Sequence, residues 1–166
     1  VYELEVAGGS AAVGTTQTAE RAYLSRGGAA SVETRLSVGP GGRLHWLPQE
    51  MILFEGAALD RRVSVEMAAD AELVLLETLV LGRAAMGERL ARVALTDRRE
   101  VIRAGRPAMV EAIRLSDADL TRPGAAGLNG AVAVATLSLF APDAGDRLTA
   151  LRAGLPGDGP VRAAAS

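Results

Sequence analysis

Two carboxylates stand out among the side chains able to do chemistry. Glu50, with Pro48 and Gln49, interrupts the mainly apolar run Leu44 to Phe54, and Glu77, with Thr78, interrupts Leu73 to Leu81. A carboxylate inside an apolar strand is costly unless it is paired or hydrogen-bonded. Together they could act as general acid and base. With Gln49 and Thr16 they could instead give oxygen contacts along a polar path for a cation. They could also be structural, satisfied by turn amides, Arg83 or Arg61. No nucleophile or electrophile motif accompanies them, which weighs against catalysis. Gly82-Arg83-Ala84-Ala85-Met86-Gly87-Glu88 superficially suggests a phosphate loop. Its Lys-Ser/Thr ending is replaced by Glu88-Arg89, whose carboxylate would repel a nucleotide phosphate. It reads as an exposed loop after a buried strand.

Composition narrows the chemistry. The chain has 166 residues, 49% hydrophobic and 3% aromatic, with a formal net charge of −2. That length suits one domain with a substantial core. Cysteine is absent, so disulfides, thiolate metal sites and cysteine nucleophiles are excluded. All 18 basic residues are Arg, which removes Schiff-base and Walker-type lysine chemistry. His45 is the one histidine, and a tight nickel, copper or zinc site normally needs more imidazole or thiolate. No apolar run approaches the roughly 20 residues that span a bilayer, and no basic signal-peptide start is visible. Residues 1–88 hold 12 acids and 7 Arg, whereas residues 89–166 hold 8 acids and 11 Arg. This uneven balance fits protein partners better than nucleic acid, which usually demands a concentrated basic stripe with aromatics.

The elements that would position these residues repeat. Leu4-Glu5-Val6 with Ala12-Val13 matches Leu36-Ser37-Val38 with Leu44-His45, and both match Val65-Glu66-Met67 with Leu73-Val74, at offsets of 32 and 29 residues. Each unit reads as strand, five-residue turn, strand. A looser fourth unit runs from Glu100 through a turn at Ala104-Gly105-Arg106-Pro107 to Ile113. Val63, Val65 and Met67 should share one face, with Ser64 and Glu66 opposite. The second strands, Leu73 to Leu81 and Leu44 to Phe54, are apolar on both faces and should lie between two layers. Thr15-Thr16-Gln17-Thr18 reads as a polar strand extension, and Ala131 to Phe140 as a further core strand. A helix is expected from Asp146 to Ala153, stopped by Gly154, with a helical turn at Ser116 to Leu120. The Gly/Pro/Ala-rich tail from Pro156 reads as frayed. The fold class is mainly β: a layered, β-helix-like stack of strand-turn-strand repeats with one or two short helices. Residues 1–166 form one expected domain. Because Val1 already stands inside a strand pattern, it is expected to lack N-terminal and C-terminal portions of a longer protein.

Trp46-Leu47-Pro48-Gln49-Glu50-Met51-Ile52-Leu53-Phe54-Glu55-Gly56-Ala57, then Glu77 and the run from Leu81 to Glu88, resembles the UreD (UreH) urease accessory family. The family pattern is a W-LPQE-I-F-A run followed by an acidic residue and an FGR-A-GE loop. Thr15 to Tyr23 resembles the family's TTQ-A-K-Y strand, and the Arg122-Pro123-Gly124 loop and the Ala131–Phe140 strand its later part. Leu81 replaces the usual Phe, Arg21 stands where Lys is common, and the family's N-terminal segment is absent. The resemblance implies a cytoplasmic, non-enzymatic maturation factor. It would bind apo-urease and UreF, reach the UreG GTPase through UreF, and help deliver nickel to urease. It implies a transient nickel path rather than a tightly bound cofactor. Glu50 and Glu77, with Thr16 and Gln49, would line that path, and Arg83, Met86 and Glu88 would meet partners. The alternatives are a β-fold hydrolase or isomerase using Glu50 and Glu77, and a β interaction module with no metal role.

Overall fold

The structure, a computed structural model, describes residues 1–124 and 127–155. The tail from Pro156 lies outside the described residues. In chain order the strands are β1 (Tyr2–Val6), β2 (Ala11–Gly14), β3 (Glu20–Ala22), β4 (Ala30–Val38), β5 (Arg43–Trp46), β6 (Met51–Leu53), β7 (Ala57–Met67), β8 (Glu72–Leu81), β9 (Val93–Arg103), β10 (Arg106–Leu115) and β11 (Ala133–Phe140). Two helices, α1 (Asp117–Leu120) and α2 (Ala144–Gly154), fall where helical signals were read. The strands wind as a β-solenoid of about three turns.

The sequence repeat is the winding itself. Leu4, Leu36 and Val65 are register partners in one parallel sheet of β1, β4, β7 and β9. Ala12, Leu44 and Leu73 are register partners in the second, where β2 and β5 lie on the first half of β8. β3 and β6 pair with its second half. The turns joining the sheets stack as tightly as the strands: a Cβ at Gly39 would stand 2.8 Å from the Gly8 nitrogen. Glycine is needed there for the approach of one turn to the next.

Five expectations need correction. Ala131 to Phe140 is not a core strand: β11 covers Ala133–Phe140 and none of its residues is buried. The fourth unit does not cross between sheets. Ala104 (φ 50°) and Gly105 (φ 73°) are both left-handed, the geometry of a two-residue hairpin turn, so β10 folds back antiparallel on β9 in the same sheet. Leu44 to Phe54 is two strands, β5 and β6, parted at Leu47 to Glu50, where Pro48 has no N–H to offer a ladder. Thr15 to Thr18 is the equivalent break between β2 and β3, not a strand extension. β8 is buried on one face only: Leu73, Leu75, Glu77, Leu79 and Leu81 point inward, while Val74, Leu76 and Val80 are half-buried on the outside. Their flanking strands shield them laterally, with β5 and β6 on one side and the antiparallel β11 on the other.

Strand alternation places the core between the sheets, in two apolar clusters. One holds Leu36, Val65, Leu73 and Val101. The other holds Leu53, Leu59, Leu79 and Leu95. The side chains between them are polar.

Candidate functional site

The polar layer is a chain of buried charges. Alternation along β7 and β9 turns Arg61, Asp97 and Arg99 inward beside Val63 and Leu95. Arg61 and Asp97 are register partners, and Glu77 faces them from the other sheet. Arg61 Nη1 lies 2.7 Å from Glu77 Oε2, and its Nη2 and Nε donate to Asp97 at 2.7 and 3.1 Å. Arg99 Nη2 donates to Asp97 Oδ2 at 2.7 Å, and Arg99 Nη1 to Glu111 Oε2 at 3.1 Å. Glu77 is 3% exposed, Asp97 0%, Arg99 2% and Arg61 7%. Arg99 Nε is buried and finds no acceptor among the described residues.

Burial sets the electrostatics. It pushes the Glu77 carboxyl above its usual pKa, against the fields of Arg61 and Arg99. Burial also opposes the Arg61 charge, but the Asp97 hydrogen bond and the nearby carboxylates outweigh it and raise that pKa. Arg61 therefore stays a cation wedged between carboxylates from both sheets.

The layer reaches the surface at Glu111, and a further acid, Glu20, stands in a surface pocket. At the first turn an open pocket of about 620 Å³ is lined by Tyr2, Thr16, Glu20, Val32, Met51 and Leu59, among others. The Tyr2 hydroxyl donates to Glu20, which raises the phenol's pKa. Glu20 in turn acts on Arg61 through its charge. The Glu111 side chain is 37% exposed. Direct contacts thus link Glu77, Arg61, Asp97, Arg99 and Glu111, and Glu20 adds to them through its charge alone.

A second arrangement sits at one corner of the solenoid. The loop after β8 makes a 3-10 turn at Ala84–Met86 and is tied by two carboxylates. Glu88 accepts from the Arg83 backbone N–H at 3.0 Å and from Arg83 Nε at 2.9 Å. Glu55 accepts from the Ala91 and Arg92 backbone N–H groups at 2.7 and 3.2 Å. The Arg83 guanidinium holds the Glu88 pKa down, and the Ala91 amide holds that of Glu55 down. Arg83 also lies over the Phe54 ring, 4.5 Å from its centre.

Against known proteins, the sequence pattern described as UreD urease accessory protein matches residues 1–166. The chain belongs to this family. A protein named urease accessory protein UreD from Jannaschia sp. is 64% identical over 165 residues, covering 99% of this chain and 61% of the relative. UreD from Cereibacter sphaeroides is 52% identical over 166 residues, covering 99% of this chain and 60% of the relative. UreD from Paracoccus denitrificans is 46% identical over the same length, with the same coverage. The chain thus spans about three-fifths of the length of the curated relatives it matches. Relatives named as accessory proteins fit a non-enzymatic role. Among the described residues no helix is long and apolar enough to cross a membrane, and no group of three or more His, Cys, Asp or Glu could hold a metal ion.

The residues singled out from the sequence do not gather in one place. Glu77 lies in the buried layer, paired with Arg61. Thr16 lines the pocket, its hydroxyl accepting from the Gln49 backbone N–H at 2.9 Å, while the Gln49 side chain is exposed. Glu50 is half-buried in the break between β5 and β6, where its carbonyl accepts from the Glu20 N–H at 2.9 Å. No hydrogen bond or ion pair joins Glu50 to Glu77 among the described residues. Arg83 and Met86 are exposed on the corner loop, and Glu88 is half-buried beneath it. Sequence reasoning missed Glu20, Asp97, Arg99 and Glu111. For Asp97 and Arg99 the signal was available: both share the inward parity of Leu95 and Val101 on β9.

Proposed function

We propose that this chain serves urease maturation as a non-catalytic accessory protein of the cytoplasm. It binds apo-urease and UreF, engages UreG through UreF, and offers nickel a transient route on the way to the urease centre. Family membership supports the maturation role. The observation supporting the nickel role is the set of acids Glu77, Asp97 and Glu111, linked through Arg61 and Arg99 between apolar clusters and exposed at Glu111, with Glu20 in the first-turn pocket. Nickel is cargo in this reading. Several oxygen contacts in succession let a cation move, where tight imidazole or thiolate ligation would trap it. Arg61 and Arg99 neutralise the carboxylates at rest, and a passing cation must take their place. Glu50 lies beside the pocket end through its backbone contact with Glu20.

The test is urease activation in cells supplying the other accessory proteins at limiting nickel. Glu77→Gln and Glu50→Ala together should lower activation several-fold while complex assembly persists, and excess nickel should restore part of it. Unchanged activation with normal assembly removes the nickel route.

A further inference from the structure

Three successive turns stack at the corner that carries the loop after β8. The Ser25 N–H donates to the Gly56 carbonyl at 3.0 Å, and the Gly56 N–H to the Arg92 carbonyl at 2.9 Å. The corner segments, residues 21–29, 54–56 and 82–92, hold five Arg and two Glu in a chain whose net charge is −2. Both glutamates are engaged, Glu88 by Arg83 and Glu55 by Arg92 and two backbone amides. Arg21, Arg26 and Arg89 are exposed and have no ion pair among the described residues. The same corner segments carry apolar groups that water reaches: Tyr23 is 62% exposed, Leu24 54% and Met86 75%. They rest on a fixed base. The Tyr23 ring packs edge-on against Phe54, 4.8 Å between centres, and Leu24 pairs through its backbone with Ala57.

We propose that this corner is a docking surface for an acidic segment of a partner protein, anchored by an apolar side chain among Tyr23, Leu24 and Met86. Tyr, Met and Arg are enriched at protein interfaces, and Tyr and Arg are among the types that carry hot-spot energy. The uncompensated arginines set the sign of the partner and give the encounter a salt dependence. The apolar centre and the carboxylates beneath the loop fit a protein segment better than a phosphate backbone. The proposal rests on the accessory-protein reading and deepens it by assigning the partner surface and its chemistry.

The experiment uses the full-length protein with purified apo-urease and UreF from the same organism, each titrated at low and moderate salt. Arg21→Glu, Arg26→Glu and Arg89→Glu are combined, because these residues hold no ion pair among the described residues. Met86→Ser is the second variant, leaving every charge in place. For one of the two partners, the triple reversal should weaken binding about tenfold or more and flatten its salt dependence. Met86→Ser should weaken the same partner without changing the salt dependence, and both variants should melt as the parent does. Unchanged affinity of both variants for both partners overturns the docking surface and leaves the accessory reading standing. Binding of duplex DNA that the reversal abolishes, with protein binding intact, also overturns it. Failure of the parent to bind either partner overturns the accessory reading, and the docking surface with it.

Discussion

Arg61→Met removes one charge from the middle of the stack and keeps much of the stem. Asp97 retains Arg99 at 2.7 Å, whereas Glu77 loses its one ion-pair partner among the described residues. Breaking a buried pair costs about 3–5 kcal/mol, and because Asp97 stays paired the expected loss is the lower figure, about 3 kcal/mol. In a chain of this size that is roughly 6–12 °C in Tm. Urea unfolding followed by circular dichroism at pH 7 and pH 5 measures it. The sign of the pH effect follows from Glu77. Burial raises its folded-state pKa above the unfolded value. In the window between the two, the folded state holds more protons, so stability falls as pH rises. Arg61 restrains that shift, and the methionine widens the window. The gap between variant and parent should therefore shrink as pH falls, and most of it should vanish in a Glu77→Gln background. A loss equal at both pH values, or equal in both backgrounds, refutes the assignment of the cost to an uncompensated Glu77 charge.

Ala104 sits at a left-handed φ of 50° in the β9–β10 hairpin, where asparagine followed by glycine is the favoured pair. Ala104→Asn should stabilise by about 0.5–1 kcal/mol, read as a rise in urea midpoint at constant slope. Hydrogen exchange, corrected for its intrinsic pH dependence, should show the Ala91 and Arg92 amides protected at neutral pH. The Ala91 amide is the main cause of the lowered Glu55 pKa, so this tie is present above the unfolded carboxyl value and lost as pH falls through the folded one. Glu55→Ala, which removes the acceptor, should expose both amides at pH 7, with little change in global unfolding.

The winding was readable because a solenoid writes its register into the sequence: the offsets linking Leu4, Leu36 and Val65 are the ladder pairings. The turns were readable through their glycines. The hairpin at Ala104 was not, because a left-handed alanine gives no warning, and reversal of chain direction depends on that one residue as much as on Gly105. The half-buried outside of β8 was misjudged because apolar residues on both faces signal two covering layers only when something covers them. Lateral shielding by β5, β6 and β11 lets Val74, Leu76 and Val80 stay half-exposed. Of the charged layer, Glu77 was visible as a carboxylate in an apolar run. Asp97 and Arg99 hid in a charged stretch, Asp97-Arg98-Arg99-Glu100, where only alternation with Leu95 and Val101 separates inward from outward. Glu20 came to the pocket through pairing of β3 with β6, a contact between residues some thirty positions apart.

The charged layer is not inherited from the repeat. Across the first sheet, Arg61 pairs in register with Val32 on one side and Asp97 on the other, and Arg99 with Val63 and Glu111. Valine fits these rows in some rungs, so the stack does not require charge there. Apolar residues of similar volume usually match or exceed a buried ion pair in stability. Keeping Arg61, Glu77, Asp97 and Arg99 inward is therefore no route to a sturdier fold. Four charges held between apolar clusters, with Glu111 paired to Arg99 at the surface, instead confine polar chemistry to one level of the solenoid. That level runs from Glu77 on β8 through Arg61, Asp97 and Arg99 to Glu111 on β10, and its charge is what the proposed cation route needs and the fold does not.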